Sequence, residues 1–566
     1  MLHCGAEKSR LGNFTAKTLA QALEKIPAAP DSWMRFIGFG AEELCFTYRQ
    51  VYDQARQRAA HLTQAGLRKG DRLVLMTSEA HEFVMSFLGC VMAGIIPAPI
   101  SPPMMAKGSE SLAPAAARIV QDAEAKVLLT TESSKAFADQ ILARSNGETR
   151  LLTMETAFAE PALPFDPPSI DPDDICFLQY TSGSTTLPRG VMVSHGNLMA
   201  NMRGFMGERG MNPGPEDVGV SWLPLYHDMG LIGFILGPLV YIGPIVVLAT
   251  SAFARDPRIW LKALHNYRGT ITYAPNFAYA QVVKRLRDSD LENLDLSCVR
   301  IAGCGAEPIQ AATLRSFAER LAPTGFRAEA FLPSYGMAEA TLAISLHTPG
   351  TPMHTEFINA DELKRGNAVP ATEGNLREIM SCGFPLAEHQ LDIVSESGES
   401  LPERHVGEIV FSGPSVTQGY FQNPEASAAA WRAGRLHTGD MGYLAGGELY
   451  VCGRSKELII IRGANYYPQD IEWAVRDVPG IKRGNVVAFS VQEGMDERLV
   501  MVVEAEPRED AESLRQAIRV KIMETIGLEV YRVVLAPGGT LQRTTSGKLQ
   551  RRKMKQLFEQ GEIAEL

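Results

Sequence analysis

The chain has 566 residues, of which 45% are hydrophobic and 21% are charged, and its formal net charge is −10. This length is too great for one hydrophobic core and predicts several domains. The composition is that of an ordinary globular protein, and the acidic charge argues against a nucleic-acid partner, which requires basic surface. The eight cysteines form no Cys-x-x-Cys pair, so zinc sites and a disulfide framework are disfavoured and reduced cytoplasmic thiols are expected.

Strand-like and helix-like segments alternate along the first part of the chain. The predicted strands are Cys45–Tyr48, Arg72–Met76, Ile95–Ile100 and Lys126–Thr130, and the predicted helices between them are Val51–Ala65, Glu82–Ala93 and Ala115–Ala125. Each strand is a short apolar run, and the helices carry apolar residues near helical spacing. This alternation predicts parallel sheets with covered faces. Residues 1–40 contain no apolar core of the secretory type, so no leader is expected.

The next segment joins a strand to a loop rich in Ser, Thr and Gly. A linker rich in Pro and Asp, Leu163 to Asp174, leads into the apolar strand Ile175–Leu178, and the loop follows within Gln179 to Gly190. Its hydroxyl and backbone N–H groups are suited to surround the oxygens of a phosphate, and Gly183 permits close approach. The Gly-Lys-Ser/Thr ending of a Walker loop is absent. A phosphate site and a polar surface turn both remain open at this point.

One stretch has the length of a membrane span, because no charged residue occurs between Asp228 and Arg255. Two Gly-Pro pairs interrupt this stretch, and the segment Ile245–Leu248 within it is β-branched and strand-like. A buried helix followed by a buried strand is therefore favoured over a segment that crosses a membrane. We expect no integral membrane span.

The pattern changes in the second half of the chain. Two further strands are predicted at Gly269–Pro275 and Val299–Gly303. Beyond Cys382, short strands divided by Gly and Pro predict a small antiparallel barrel: Gln390–Val394, Gly407–Phe411 and Gly447–Val451. From Lys456 onward, mixed strands and helices predict a separate C-terminal domain of ordinary size. Its predicted elements are the strands Leu458–Ile461 and Leu499–Ala505, a strand near Val486, and the helices Pro468–Val478 and Ala511–Glu524.

Three segments of the long N-terminal part carry candidate functional residues. His227 follows an apolar run, and a lone histidine serves structure more often than chemistry. The Gly-rich turn Ala302–Pro308 is suited to pack against a planar base, with a plain strand-to-helix joint as the alternative. In the third segment, the Tyr335 ring is suited to stack on a base and the Glu339 carboxylate to bind Mg²⁺ as a hard oxygen ligand. An exposed tyrosine and a solvated glutamate are the alternatives there.

Three more segments follow toward the C-terminus. His437–Asp440 ends in a carboxylate suited to bind a ribose diol, and Gly453–Glu457 lies where the last two domains join. Arg543–Lys548 presents one lysine on a Gly-containing loop, although a basic loop of this kind is usually just solvated. Each segment is weak evidence alone. Their shared order and spacing make the case.

Taken together, the segments resemble the adenylate-forming superfamily, which comprises acyl-CoA synthetases, luciferases and the adenylation domains of peptide synthetases. The resemblance runs from about Thr47 to Lys553. The residues Leu223–Gly230 and Arg462–Glu472 are similar to those of fatty acyl-AMP ligases. A long connection supports this choice, because 44 positions separate Glu339 from Gly383 and relatives that make CoA esters look much shorter there.

The resemblance implies an α/β fold. Residues 1–456 would form a large N-terminal domain of two α/β sheet subdomains plus a small β-barrel, and residues 457–566 a small, mobile α+β domain. A family-specific insertion would occupy about residues 344–380. In fatty acyl-AMP ligases, this insertion packs on the large domain and hinders the rotation that thioesterification with CoA requires.

The resemblance also implies a two-step reaction that uses ATP and Mg²⁺. A fatty acid would be converted to acyl adenylate with release of pyrophosphate, and the acyl group would pass to the phosphopantetheine thiol of an acyl carrier protein. No Asp-Ser-Leu attachment segment is visible, so the carrier protein should be a separate chain. The product would feed lipid, polyketide or lipopeptide biosynthesis in the cytoplasm.

Roles carry over to the matching positions as follows. Lys548, Glu339 and His227 would be catalytic, and Glu339 would also bind Mg²⁺. The residues around the ATP phosphates would be Thr181, Ser182, Gly183, Ser184 and Thr185. The residues around adenine and ribose would be Gly305, Ala306, Glu307, Tyr335, Gly336, Met337, Asp440 and Arg454. The acyl tunnel would have walls from the helix Leu231–Leu239 and from Tyr273–Tyr279, and its lining residues would be Gly230, Leu231, Ile232, Pro275, Asn276 and Phe277. The hinge would be formed by Lys456 and Glu457.

The sequence departs from the superfamily pattern at three of these places. Thr186 replaces a common Gly, so a stiffer loop is expected. Arg189 replaces a common Lys, and its role stays open. Met337 replaces a residue that is more often polar.

Two other functions remain alongside the ligase. A true acyl-CoA synthetase with a long loop is one, and the 44-position connection argues against it. A non-catalytic protein that binds acyl adenylate is the other, and the intact residues Thr181–Thr185, Glu339 and Lys548 argue against it.

Overall fold

The computed structural model describes residues 15–29, 32–40, 42–103, 112–145, 147–162, 164–181, 188–494, 496–506, 510–544 and 547–566. Seven sheets and the helices packed on them form an N-terminal part with mixed and parallel sheets and a smaller C-terminal part. The predicted α/β fold class is therefore confirmed.

The largest element is a nine-stranded sheet whose middle six strands are parallel. In spatial order its strands are Phe384–Pro385, Ala343–Leu346, Phe331–Gly336, Ile301–Cys304, Ile271–Ala274, Gly219–Ser221, Ile245–Leu248, Trp33–Ile37 and Glu43–Thr47. The carboxyl ends of the parallel strands lie at one edge, so the loops that follow them meet there. This edge is where the Gly-rich turn after Cys304 and the segment around Tyr335 come together.

A second, four-stranded parallel sheet lies beside the first. Its strands, in spatial order, are Ile96–Pro99, Arg72–Leu75, Val127–Thr130 and Arg150–Thr153. An antiparallel pair, Ile175–Thr181 and Arg189–Ser194, flanks the candidate phosphate loop. The strands predicted near residues 72, 96, 127 and 175 are confirmed, because their fully apolar runs are buried on both faces.

Helices cover both sheets. In the N-terminal part they are Leu19–Glu24, Tyr48–Gln64, Ala80–Met92, Ala113–Asp122, Lys135–Leu142, Met154–Ala157, His195–Met206, Thr250–Arg255, Arg258–Asn266, Asn276–Arg285, Ala311–Leu321, Ala360–Leu363 and Pro424–Ala430. The helices Tyr48–Gln64 and His195–Met206 each begin at a capping box. The hydroxyl of Thr47 or Ser194 accepts a hydrogen bond from the backbone N–H three residues later, and the Gln50 or Asn197 side chain accepts one from the backbone N–H of the capping residue. These caps fix where the chain turns from strand to helix.

The uncharged stretch after Asp228 forms the buried helix and strand that its composition predicts. The helix runs as Asp228–Leu231, a π-helical turn Ile232–Leu236, and Gly237–Tyr241, and the strand is Ile245–Leu248. Gly237-Pro238 is accommodated at the start of the last helical piece, where proline is tolerated. Among the described residues, no helix combines the length and the apolar character that a bilayer crossing demands.

The segment predicted as an insertion contains a hairpin of its own. After the sheet strand Ala343–Leu346, the chain forms Thr355–Asn359 and Leu376–Met380, which pair antiparallel. The barrel-like part that follows is a five-stranded antiparallel sheet. Its strands are Gln390–Val394, Gly407–Ser412, Trp431–Arg432, Arg435–Ala445 and Glu448–Arg454.

The C-terminal part has its own core, centred on Val475, Met501 and Ile518. Its strands are Ile459–Ile461 paired with Ala464–Tyr466, and a three-stranded sheet of Ile481–Glu493, Asp496–Ala505 and Val530–Ala536. Its helices are Pro468–Val475, Ala511–Thr525 and Arg551–Glu559.

Candidate active site

One large cavity, about 1010 Å³ in volume, lies between the N-terminal and C-terminal parts. It brings together side chains that the sequence scatters over more than 350 positions. The predicted site residues that line it are Thr181, His227, Asn276, Phe277, Gly305, Ala306, Glu307, Tyr335, Gly336, Met337, Glu339, Asp440, Arg454, Glu457 and Lys548. Of the predicted phosphate-binding residues, Thr181 ends a strand at the cavity wall, and Ser182, Gly183, Ser184 and Thr185 lie outside the described residues.

Two backbone segments, at Gly305–Ala306 and at Gly336, approach their neighbours closely at one wall of the cavity. A Cβ on Gly336 would lie 1.9 Å from the carbonyl oxygen of Leu342, so only glycine fits there. A Cβ on Gly305 would lie 2.8 Å from the Ser334 hydroxyl. Ala306 has a φ of +67°, a strained value for a residue with a side chain, as is common at functional turns. The two turns thus bring Gly305 and Ala306 close to the strand that carries Tyr335.

Asp440 is held in one orientation by two neighbours. It accepts a hydrogen bond from the Tyr335 hydroxyl at 2.7 Å and from Arg454 Nε at 3.0 Å. Arg454 faces Asp440 directly across the antiparallel ladder of two barrel-like strands. Burial and the Asp440 charge raise the pKa of Tyr335, so the phenol stays protonated and donates. A carboxylate fixed in this way at a cavity wall is suited to bind a diol.

Glu339 is buried in the same wall. Its Oε1 accepts a hydrogen bond from the Tyr420 hydroxyl at 2.7 Å, and its backbone carbonyl accepts from Thr417. Burial raises the pKa of the Glu339 carboxyl, and the Tyr420 hydrogen bond opposes that rise. Its own backbone N–H also hydrogen-bonds the carboxylate, which lies at the cavity wall. An oxygen presented in this way fits Mg²⁺, which usually takes one or two carboxylates besides substrate phosphates.

His227 is paired with its neighbour in the chain. Its Nδ1 lies 2.6 Å from Asp228 Oδ1, which also accepts from the backbone N–H of Met229. Burial disfavours ionisation of Asp228, but His227 and the charge of Lys548 more than offset it and lower the pKa of Asp228. The pair begins the helix Asp228–Leu231, where a negative charge is favoured.

Lys548 comes to this cavity from the C-terminal part. Its loop is closed by hydrogen bonds between Thr544 and Lys548. Burial lowers the pKa of the Lys548 ammonium, and the carboxylates of Asp228, Glu307 and Asp440 oppose that effect. The Glu307 carboxylate accepts a hydrogen bond from the backbone N–H of Phe277 at 2.6 Å, and burial raises the pKa of Glu307. One cation therefore faces carboxylates from three different segments of the N-terminal part.

The structure distributes the predicted tunnel residues between wall and core. Asn276 and Phe277 line the cavity, whereas Leu231 and Ile232 are fully buried in the main core. A Cβ on Gly230 would lie 2.2 Å from the carbonyl oxygen of Pro224, so Gly230 packs on backbone; Pro275 caps the helix Asn276–Arg285. We call the apolar branch of the cavity the part lined by Phe205, Met211, Phe234, Tyr273, Leu346 and Met380. Phe234 and Tyr273 lie within the predicted tunnel walls, and sequence reasoning missed the other four.

The predicted hinge residues lie in a short turn, Ser455–Glu457, directly after the strand Glu448–Arg454. Glu457 pairs with Arg551 at 2.8 Å, and Arg551 also makes a bidentate pair with Glu472. Sequence reasoning missed Arg551, although its place three residues after Lys548 in a basic run was visible. It also missed Tyr420, for which a single sequence offers no local signal.

Comparison with known proteins agrees with this geometry. The family described as AMP-binding enzyme matches residues 33–421, and the Disco-interacting protein 2-like AMP domain matches residues 456–566. A Caulobacter vibrioides protein named "Putative acyl-CoA synthetase" is 37% identical over 96% of this chain and 95% of its own length. The long-chain-fatty-acid–AMP ligase FadD26 of Mycobacterium marinum is 36% identical over 89% of this chain and 90% of its own.

Two further matches extend the comparison. The medium-chain-fatty-acid–[acyl-carrier-protein] ligase JamA of Moorena producens is 32% identical over 93% of this chain and 92% of its own. A solved structure from a study of fatty acyl-adenylate ligases of E. coli and L. pneumophila superposes with a TM-score of 0.92 at 34% identity, covering 97% of this chain and 99% of that one. The chain therefore belongs to the AMP-binding enzyme family and, within it, to the fatty acyl-AMP ligases, which activate a fatty acid with ATP.

Proposed function

We propose that this ligase passes the acyl group of its adenylate to the phosphopantetheine thiol of an acyl carrier protein on a separate chain. The observation that carries the proposal is the position of Lys548, which lies in one cavity with Asp228, Glu307 and Asp440. The printed name of the relative from Moorena producens, which is an acyl-carrier-protein ligase, supports the choice of acceptor. We expect the reaction to take place in the cytoplasm.

In the first step, a fatty carboxylate oxygen attacks the α-phosphorus of ATP. The new P–O bond forms as the bond to the bridging oxygen breaks, and pyrophosphate leaves. Two anions must meet, so the barrier is mainly electrostatic. Lys548 is the cation that we assign to the carboxylate and α-phosphate oxygens, and the loop that begins at Thr181 is assigned to the outer phosphates.

The nucleoside is assigned to the adjacent wall. Asp440, fixed by Tyr335 and Arg454, accepts the ribose hydroxyls. The adenine ring lies between the Gly305–Ala306 turn and Tyr335, with Gly336, Met337 and Glu307 around it. Mg²⁺ on the ATP phosphates is assigned to Glu339, where it supplies positive charge against the developing negative charge. His227, oriented by Asp228, stands at the mouth of the acyl tunnel.

The acyl chain is assigned to the apolar branch of the cavity. Met211 lies near the amino ends of the parallel strands, because its carbonyl oxygen accepts a hydrogen bond from Arg300. Arg300 directly precedes the strand Ile301–Cys304. Tyr273 lies within the strand Ile271–Ala274, between the amino ends of the sheet and the carboxyl ends, where the adenylate is assigned. A chain that runs from Asn276 past Tyr273 toward Met211 gains about 0.8 kcal/mol for each buried methylene.

The insertion supports a carrier protein over CoA as acceptor. Its hairpin is fastened to the N-terminal part by Glu378, which makes a bidentate pair with Arg315. It is fastened to the C-terminal part by Arg377, which pairs with Asp470 at 3.0 Å. A hairpin attached on both sides resists the rotation that CoA thioesterification requires. In the second step, the carrier thiol attacks the acyl carbonyl, a thioester forms, and AMP leaves.

A product assay tests the proposal. The protein is incubated with ATP, Mg²⁺ and dodecanoate, alone, with CoA, or with a phosphopantetheinylated carrier protein, and the products are separated by mass. We expect acyl-AMP that persists in the presence of CoA and acyl-carrier product when the carrier is added. Abundant acyl-CoA would overturn the choice of acceptor in favour of a CoA synthetase. An acyl adenylate that no thiol consumes would overturn the second step and favour a protein that only binds and stores it.

A further inference from the structure

Tyr420 and Arg189 connect the exit of the phosphate loop to Glu339, yet the mechanism above uses neither residue. The Tyr420 hydroxyl donates to Glu339 Oε1 at 2.7 Å. The Arg189 guanidinium lies over the Tyr420 ring, 5.1 Å from its centroid. We propose that Tyr420, braced by Arg189, is a positioning residue that fixes the Glu339 carboxylate for the metal-bound nucleotide; this inference rests on the proposed role of Glu339.

The position of Tyr420 is set by strand pairing. Tyr420 forms a β-bridge with Val191, the N–H of Met192 bonds the carbonyl of Gly419 at 3.0 Å, and the N–H of Phe421 bonds that of Gly190 at 2.8 Å. The Tyr420 ring is 7% exposed and packs edge-on against Trp431, with 5.1 Å between centroids. Its hydroxyl therefore has a fixed place relative to the strand Arg189–Ser194.

The same segment also holds the backbone of Glu339. Thr417 donates to the Glu339 carbonyl oxygen through its N–H at 3.0 Å and through its hydroxyl at 2.9 Å. Carbonyl and carboxylate are thus both held by residues 417–420. With Oε1 occupied by Tyr420, the carboxylate cannot rotate freely and presents Oε2. Preorganisation of this kind reduces the cost of binding a cation.

Arg189 suits this role better than the lysine that is common at its position. Its planar guanidinium stacks on an aromatic face, whereas an ammonium acts as a compact point charge. Arg189 is the first residue of the strand that leaves the loop. A displacement of the loop exit therefore displaces the Tyr420 ring, and through it the carboxylate. Besides the Tyr420 hydroxyl, the groups that act on the Glu339 carboxylate include its own backbone N–H and the charges of Arg454 and Asp228.

The test compares Tyr420→Phe with the matched control Tyr443→Phe. Tyr443 is also buried and also donates to a glutamate, Glu356, at 3.1 Å, but Glu356, unlike Glu339, is not among the residues that line the cavity. Mn²⁺ serves as the probe, titrated by electron paramagnetic resonance against each variant with α,β-methylene-ATP, which does not react. We expect about tenfold weaker Mn²⁺ binding in Tyr420→Phe, as loss of one hydrogen bond to a charged group would give, and wild-type binding in Tyr443→Phe.

Steady-state kinetics give a second readout, in which KM for Mg²⁺–ATP rises more than kcat falls. Arg189→Lys should retain part of the affinity and Arg189→Met should lose more, because only the lysine keeps a charge above the ring. The Arg189 variants leave the Tyr420 side chain in place, so they decide the question if Tyr420→Phe does not fold.

Two results would overturn the proposal and are distinguishable. If Glu339→Gln loses Mn²⁺ binding while Tyr420→Phe and Arg189→Met bind as wild type does, the positioning role is wrong and the assignment of Glu339 stands. If Glu339→Gln binds Mn²⁺ and forms adenylate as wild type does, the proposed metal site is wrong and the inference falls with it.

Discussion

Arg377 of the insertion hairpin and Asp470 of the C-terminal part form an ion pair, with 3.0 Å between Nε and Oδ2. The same guanidinium stacks 4.4 Å from the Tyr467 ring and donates to the carbonyl oxygen of Cys452 at 2.9 Å. Burial raises the pKa of Asp470 to about 6, although Arg377 opposes this rise. Three parts of the protein therefore meet at a single buried arginine.

Replacement of Arg377 by methionine should loosen the C-terminal part. The two side chains are 12% and 22% exposed, so removing one leaves a largely buried charge uncompensated and costs less than the roughly 3–5 kcal/mol of a fully buried pair. We expect a lower melting temperature and faster proteolytic cleavage near the 455–457 turn. We also expect the ratio of acyl-CoA to acyl-AMP to rise at least about tenfold, because a tenfold change corresponds to a free-energy difference of only about 1.4 kcal/mol. The control is Arg365→Met, which breaks an exposed pair with Glu362 on the same insertion. An unchanged product ratio with a lowered melting temperature would contradict the prediction.

Removal of the hairpin should have a stronger effect in the same direction. The main-sheet strand Ala343–Leu346 must be spared, and the hairpin ends are close because Thr355 and Met380 are paired. A short Gly/Ser linker in place of residues 356–379 keeps this geometry. We expect some acyl-CoA from this variant by mass analysis. A folded variant that makes acyl-AMP and no acyl-CoA would show that the insertion is not the sole barrier.

Replacement of Lys548 by alanine should abolish adenylate formation. The residue supplies the cation opposite three carboxylates in the cavity, and loss of one such electrostatic contact costs about 10²–10³ in rate. The fold should persist, because Lys548 lies on a loop after the last strand of the C-terminal sheet. Pyrophosphate release measures the effect, with Lys553→Ala on the adjacent helix as the control. Release at the wild-type rate would refute the assignment.

Enlargement of Met380 should shorten the acyl chains that the enzyme accepts. Met380 is 4% exposed and lines the apolar branch of the cavity together with Tyr273 and Leu346. Met380→Trp fills part of this branch, so we expect activity with octanoate to persist while that with hexadecanoate falls at least about tenfold, which a loss of two buried methylenes would give. Ile358→Leu, a conservative change in a separate core cluster of the same hairpin, is the control. An equal loss for both acids would indicate general damage instead.

Stability should fall in mild acid because of His195. This side chain is 2% exposed, and its Nδ1 accepts the backbone N–H of Leu19 at 3.2 Å. Burial lowers the pKa of His195 to about 4. The unfolded imidazole takes up a proton near pH 6.5 and the folded one only near pH 4. The free energy of unfolding therefore falls by about 3 kcal/mol as the pH is lowered through that window.

Urea unfolding at pH 7 and pH 5 measures this effect. His195→Asn keeps an acceptor for Leu19 but does not titrate, so its stability should change less between the two pH values than that of wild type. His405→Asn, at an exposed histidine, should keep the wild-type difference. An equal difference in all three proteins would assign the acid sensitivity to other groups.

Sequence patterns predicted three strands of the four-stranded sheet but only four of the nine strands of the main sheet, and they predicted the contacts between distant segments poorly. Buried parallel strands are continuous apolar runs, which a single sequence displays, and the loops after them share one edge. Gly305, Tyr335 and Glu339 could be assigned to one site in advance through the resemblance to adenylate-forming enzymes, and the shared edge explains why the fold brings them together. Tyr420 could not, because its hydrogen bond to Glu339 depends on the pairing of residues 419–421 with the strand Arg189–Ser194.

The predicted insertion shows the same limit. The length of the connection indicated that an insertion is present, but the sequence did not indicate that it contains a hairpin. The exposed Phe357 and Val369 obscure the alternation of polar and apolar residues that would mark its strands. In the tunnel, Leu231 and Ile232 were predicted from the resemblance and from apolar content, and neither separates a side chain facing the core from one facing a cavity. Met380 was not considered, because it reaches the cavity only through the fold of the insertion.

The Lys548 loop has a further consequence where it touches the N-terminal part. A Cβ on Gly547 would lie 3.7 Å from the Phe277 ring, so the loop rests on that ring at the cavity. An acyl adenylate is a mixed anhydride, and a closed site protects such an intermediate from hydrolysis. While the loop rests on Phe277, it covers the cavity at this point, and we expect the lifetime of a bound anhydride to be set by the opening of the protein rather than by its reactivity toward water.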